Sequence, residues 1–189
     1  MSGRGLRVTA GSLRGRRVPV PPGEVRPTSE RARQAYFNIV GERIHGARFL
    51  DLFAGSGIFS FEAVSRGAAS STAIEQSPKN CAAIEVLARE YQVEVKAIPA
   101  DVLSGIKRLG DAVHDLIYAD PPYDWPRYDD LLAAIDTHAP LAAQALVAIE
   151  HRRNSEPFTH SPRRLRRVRR AEYGEVWMTF FEADPLQGE

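Results

Sequence analysis

Asp120-Pro121-Pro122-Tyr123 is the stretch whose residue types and spacing point most directly to chemistry. It follows Asp115-Leu116-Ile117-Tyr118-Ala119, an apolar run that reads as a buried strand. Two successive prolines fix φ and offer no N–H to a neighbour, so the run stops in a stiff turn. That turn carries a carboxylate, backbone carbonyls and an aromatic ring. A planar aromatic amine needs this set: acceptors for its hydrogens and a ring to stack on. The same four residues also make an ordinary strand-terminating turn with a solvated aspartate, and the rest of the chain decides between the two.

Asp51-Leu52-Phe53-Ala54-Gly55-Ser56-Gly57 sits where an earlier strand runs into a helix. Gly55 and Gly57 let the backbone turn tightly and approach a ligand. A lone Gly-x-Gly is a weak signal, because many α/β turns contain it. Ser60 stands where a dinucleotide loop wants Gly or Ala. The next strand ends at Glu75, where an acid binds ribose hydroxyls. The one after is followed by Asp101, placed to hold an adenine amino group. Singly, Asp51 ties the loop together, Glu75 caps the helix begun by Ser77-Pro78, and Asp101 is a helix N-cap. Jointly, four successive strands end in these groups and in Asp120, and in an open parallel sheet such ends line one crevice.

The elements that must position them alternate. Strands are expected at Arg48–Phe53, Ser71–Glu75, Val93–Ile98, Val113–Ala119 and Ala145–Glu150, with helices at Ile58–Ser65, Pro78–Tyr91 and Tyr128–Ala139. This rhythm argues for an α/β fold, a parallel sheet with helices on both faces. Before it, residues 5–20 read as a hairpin ended by Pro21-Pro22-Gly23. Arg26-Pro27-Thr28 leads into a helix N-capped by Thr28 or Ser29, with Ala32, Ala35, Tyr36, Ile39 and Val40 on its apolar face. Arg26, Arg31 and Arg33 are placed at its start and outer face, and Gly41 or Gly46 closes it. At the end of the chain Val176–Phe181 is β-rich after a Tyr173-Gly174 turn. Arg163–Arg170 keeps no clean strand period, so an antiparallel edge hairpin has a weak first strand.

The 189 residues, 43% hydrophobic, suit one compact domain with a small appendage. A single cysteine, Cys81, excludes an internal disulfide and a cysteine-based metal knuckle. The five histidines show no ligand spacing, so no metal is expected. No apolar run is long enough to span a membrane, no signal peptide is visible, and a cytoplasmic location is expected. The net charge of +1 hides an asymmetry. Residues 1–33 carry eight arginines against two glutamates, and residues 151–170 carry eight against one. Residues 34–150 hold nine basic and sixteen acidic side chains. Basic patches flanking an acidic body resemble a nucleic-acid footprint on a catalytic core, though solvated faces with scattered ion pairs have the same composition.

Taken together, the chain resembles a Rossmann-like, seven-stranded S-adenosylmethionine-dependent methyltransferase, and more closely the RsmD family of 16S ribosomal RNA guanine-N2 methyltransferases. The resemblance runs through Arg7-Val8-Thr9-Ala10-Gly11, Gly15-Arg16-Arg17, Arg26-Pro27-Thr28 with Phe37-Asn38, Phe49–Gly57, Glu62-Ala63, Ser65–Ala68, Asp120–Tyr123 and Tyr173-Gly174. It implies a mostly parallel sheet with an antiparallel C-terminal edge strand and a small N-terminal hairpin and helix. Residues 1–45 would be that RNA-contacting extension, 46–183 the methyltransferase domain and 184–189 a tail. It implies S-adenosylmethionine as cofactor, with Asp51, Phe53, Gly55 and Gly57 around its methionine part, Glu75 at the ribose and Asp101 at the adenine. Asp120, Pro121 and Tyr123 would carry the chemistry. Arg7, Arg14, Arg16, Arg17, Arg26, Arg31 and Arg33 would hold the RNA. The partner implied is 16S rRNA or a small-subunit assembly particle, met by a monomer. An amino-methyltransferase acting on adenine or cytosine in DNA shares the cofactor and the turn, and a non-catalytic nucleic-acid-binding protein shares the basic ends. The role of Arg163–Arg170 stays open between an extended RNA surface and a solvated edge.

Overall fold

The computed structural model describes residues 5–20, 28–122 and 124–184. Strands β1 (Gly5–Arg7) and β2 (Arg17–Pro19) pair antiparallel, with Leu6 opposite Val18. Helix α1 (Thr28–Val40) follows and passes into a 3-10 turn, Gly41–Ile44. The alternation then runs β3 (Arg48–Leu52), α2 (Ile58–Ser65), β4 (Ser70–Glu75), α3 (Pro78–Tyr91), β5 (Val95–Pro99), α4 (Val102–Ile106), β6 (His114–Ala119), α5 (Tyr128–His138) and β7 (Leu141–Arg152). Strands β8 (Leu165–Tyr173) and β9 (Val176–Ala183) close the chain.

Seven strands form one sheet in the order β5-β4-β3-β6-β7-β9-β8. The first five pair parallel, and β9 and β8 add antiparallel at one edge. This is the α/β sheet, mostly parallel with an antiparallel C-terminal edge and a small N-terminal hairpin, that the sequence leads one to expect. Alternate side chains of each strand enter opposite cores. Phe49, Leu116 and Phe180 face α1, α2 and α3; Leu50, Ile117 and Phe181 face α4 and α5. Both faces being covered is why these strands read as unbroken apolar runs.

The outward placement of Arg33 needs correction. Arg33 is 0% exposed, one position from Ala32 and three from Tyr36, on the buried stripe of α1. Its Nη2 donates to the Arg7 carbonyl at 2.9 Å and its Nε lies 3.4 Å from Glu62 Oε2. Glu62, also buried on α2, accepts from the Thr9 amide at 2.8 Å, the Thr9 hydroxyl at 2.6 Å and Arg66 Nε at 2.8 Å. These bonds seat the hairpin on α2. Gly11 is required there: its φ is +79°, and a Cβ would fall 1.7 Å from the Ser65 carbonyl oxygen.

Two further differences have local causes. Helix α4 is only five residues long, too short to show a period. In β8, Arg167 opposes Phe181 while Arg169 opposes Phe180, so Val168 is an extra residue in a bulge and is 40% exposed. The bulge switches parity, letting Leu165 enter one core and Ala171 the other. A strand read by strict alternation fails at that point.

Candidate active site

Strands β4, β3 and β6 are neighbours, β5 lies beyond β4, and all four are parallel. Their following residues therefore come to one edge of the sheet, where the strand order reverses. The loop after β3 is held there by backbone geometry. The Ala54 amide donates to the Ile74 carbonyl at 3.1 Å, and Gly57 N–H donates to the Ala54 carbonyl at 2.7 Å. Gly57 has φ +77°, and a Cβ would lie 2.9 Å from Ile84 Cγ1 of α3. Phe53 adopts φ +63°, a conformation that costs a non-glycine residue about 1 kcal/mol and that concentrates at ligand sites.

Each acid has a defined partner. Asp51 is 2% exposed, and its Oδ2 accepts from Ser60 N at 3.1 Å and Ser60 Oγ at 2.8 Å, tying β3 to the start of α2. Burial pushes the Asp51 carboxyl up to about 7; the Ser60 hydrogen bonds pull it down, and the charges of Asp120 and Glu75 add to the rise. Glu75 is half-buried. Its Oε2 accepts the Gly55 amide at 2.8 Å and its Oε1 the Ser77 amide at 2.8 Å, so the carboxylate is oriented by the loop it faces. A carboxylate oxygen accepts two hydrogen bonds, which leaves capacity for hydroxyl donors. Asp101 caps α4 through Oδ1, which accepts from Leu103 N at 3.1 Å and Ser104 N at 3.3 Å; Oδ2 takes neither amide.

At the end of β6, Asp120 is exposed, Pro121 buried and Pro122 exposed. The Asp120 amide reaches the Leu52 carbonyl at 3.4 Å, joining this turn to the end of β3. Trp125 N–H donates to the Pro122 carbonyl at 2.9 Å. Tyr123 and Arg26, like Pro21-Pro22-Gly23, lie outside the described residues.

Aromatic residues not singled out from the sequence pack beside this turn and the loop after β3. The Trp125 ring lies edge-on to Phe53 at 5.0 Å and to Tyr128 at 5.7 Å. Burial, with the charges of Asp120 and Glu150, pushes the Tyr128 hydroxyl up to about 12. Trp125 and Tyr128, close after the double proline, are the sequence signal that points to this cluster. Glu150, buried near the end of β7, is a further acid toward a strand end.

Of the arginines named for RNA, Arg7, Arg14, Arg16, Arg17 and Arg31 are exposed, and Arg33 is not. Arg16 lies over the Tyr91 ring at 5.4 Å, and Arg7 Nη1 donates to the Gly15 carbonyl at 3.2 Å. The second arginine cluster is largely engaged within the fold. Arg164 Nη2 donates to the Ala139 carbonyl at 2.9 Å, favourable at the C-terminal end of α5. Arg167 and Arg170 share Glu156, Arg166 lies 3.6 Å from Glu182, and Arg170 covers the Trp177 ring at 4.0 Å.

Among the described residues, no helix is long and apolar enough to cross a membrane. A family model described as conserved hypothetical protein 95 matches residues 6–182. Ribosomal RNA small subunit methyltransferase D of Escherichia coli (strain K12) is 34% identical over 153 residues, covering 79% of this chain and 76% of that one. The solved structure of yhhF from Escherichia coli superposes with a TM-score of 0.82 at 26% identity, covering 96% of this chain and 99% of the other. The structure of SMU.776 complexed with SAH shares the fold alone, at a TM-score of 0.66 and 15% identity, over 84% of this chain and 50% of that one.

Proposed function

The chain belongs to the RsmD family, described as conserved hypothetical protein 95, and from that membership we propose that it methylates the exocyclic N2 amine of a guanine in 16S ribosomal RNA, using S-adenosylmethionine. The observation that carries the reading is the row of strand-end groups along one sheet edge, with the Asp120 amide bonded to the last residue of β3. It joins acceptors for an amine to a glycine loop and acids suited to a nucleoside.

The residues present fit the cofactor. The oriented Glu75 carboxylate has capacity for the ribose hydroxyls, and Asp101 Oδ2 for the adenine amino group. Asp51, Phe53, Gly55 and Gly57 surround the methionine part. When bound, S-adenosylmethionine supplies an electrophilic methyl on its sulfonium. Asp120 and the Pro121 carbonyl accept the two amine hydrogens, which favours a pyramidal nitrogen and stabilises the charge growing on it. Tyr123 stacks on the base and holds it in line, so much of the acceleration is positioning. A base within a helix cannot reach such a site, and the target is a loop or flipped nucleotide. Arg7, Arg14, Arg16, Arg17, Arg26 and Arg31 hold the RNA backbone. Residues 1–45 form the RNA-contacting extension of a methyltransferase domain spanning 46–183.

The test offers labelled S-adenosylmethionine with small-subunit particles, naked ribosomal RNA and DNA, then digests each and identifies the base. Label in N2-methylguanine from the ribosomal substrate is expected. Label in methyladenine or methylcytosine from DNA would overturn it in favour of a DNA amino-methyltransferase. No transfer, with no cofactor heat in calorimetry, would leave a nucleic-acid-binding protein.

A further inference from the structure

Glu150 follows the β6–β7 register pair Ala119–Ile149, so it stands beside Asp120 on the neighbouring strand. Unlike Asp120, it is only 7% exposed. Burying a carboxylate is costly, and an apolar residue would fill the same space without that cost. Its direction is set from inside the sheet. The Tyr118 hydroxyl donates to Glu150 Oε1. Tyr118 is itself locked, opposite Asp51 in register and stacked on Phe59 with ring centroids 3.7 Å apart at 14°. Asp120 and Glu150 both bear on the Tyr118 and Tyr128 hydroxyls, after burial, in raising their pKa values, as two acids close to the same rings do.

Acceptors for an amine do not by themselves tell guanine from adenine or cytosine, since all three carry an exocyclic amine. Guanine alone presents a ring N–H, at N1, next to that amine. Adenine N1 and cytosine N3 present a lone pair there. We propose that Glu150 is a specificity-determining residue whose carboxylate, aimed by Tyr118 and set beside Asp120, accepts the N1–H of the target guanine. A carboxylate facing adenine or cytosine meets a lone pair instead, and that contact is repulsive. The proposal rests on the guanine-methylation reading above and deepens it.

The experiment uses the full chain and ribosomal RNA whose methylated guanine, once mapped, is replaced by 2-aminopurine. That base keeps the N2 amine and carries a lone pair in place of N1–H, and its fluorescence reports entry into the site. Wild-type protein should prefer guanine RNA over the 2-aminopurine RNA by about a hundredfold or more in kcat/KM. Glu150→Gln, whose amide can donate to the bare nitrogen, should shrink that ratio to within about tenfold and tighten 2-aminopurine binding, with cofactor binding unchanged. Tyr118→Phe, which removes the aiming hydroxyl and keeps the ring, should lower the ratio in the same direction. A folded Glu150→Gln or Tyr118→Phe variant with the full wild-type ratio would overturn the role of Glu150 alone. Absence of guanine methylation by the wild-type protein would overturn the underlying reading, and this proposal with it.

Discussion

Arg33 Nε and Glu62 Oε2 lie 3.4 Å apart with both side chains fully buried. Burial pulls the Arg33 guanidinium down, and the Glu62 carboxylate opposes that shift. Glu62 also gathers Thr9 and Arg66, so one carboxylate holds α1, α2 and the hairpin together. Removing one partner of such a pair strands the other charge, at about 3–5 kcal/mol. Glu62→Gln should lower the urea midpoint by a corresponding amount and expose the hairpin to proteolysis before the rest of the chain. A variant as stable as wild type, with an equally protected hairpin, would show that the network is dispensable.

Asp51 makes a prediction about pH. Its carboxyl is raised to about 7, mainly by burial, whereas in the unfolded chain it titrates at about 4. Between those values the folded state holds a proton that the unfolded state has released. Stability from this group is therefore greatest below about pH 4, falls as pH rises to about 7, and is level above that. Asp51→Asn cannot ionise and should flatten this component. Urea unfolding of both proteins from about pH 5 to about pH 8 isolates it. Parallel pH profiles would rule out a raised Asp51.

Asp120 is exposed at the turn, while Glu75 is bonded to the loop after β3, so their variants should separate. Asp120→Ala should lower methyl transfer by about a hundredfold or more and leave S-adenosylmethionine binding in place. Glu75→Ala should do the reverse, weakening cofactor binding in calorimetry by about tenfold or more. Unchanged turnover in Asp120→Ala would remove it from the chemistry.

The exposed arginines should act on RNA and not on cofactor. Arg14→Ala and Arg31→Ala are each expected to weaken RNA binding uniformly across sequences and to reduce the salt slope by about one. Salt titrations of RNA affinity with wild type and both variants read this directly. Slopes that match wild type would place the RNA elsewhere.

Much of this candidate site is legible in the sequence because its signals are local. A glycine loop after an apolar strand, acids at strand ends and a double proline each announce themselves within a few residues. The alternation of strand and helix then confines the sheet to few topologies, since parallel neighbours need crossovers. What remained hidden depends on residues far apart in the chain. Arg33 reads as a surface charge until Glu62, 29 positions on, is seen to answer it. The β8 bulge shows only once β9 fixes the register. Glu150 gains meaning when β7 is laid beside β6 and the Tyr118 hydroxyl meets it. Which groups reach the sheet edge follows from the order of residues alone, because strand direction and turn chemistry are short-range. Which charges are buried and paired emerges in the folded molecule, because burial energy is set by partners that sequence distance does not reveal.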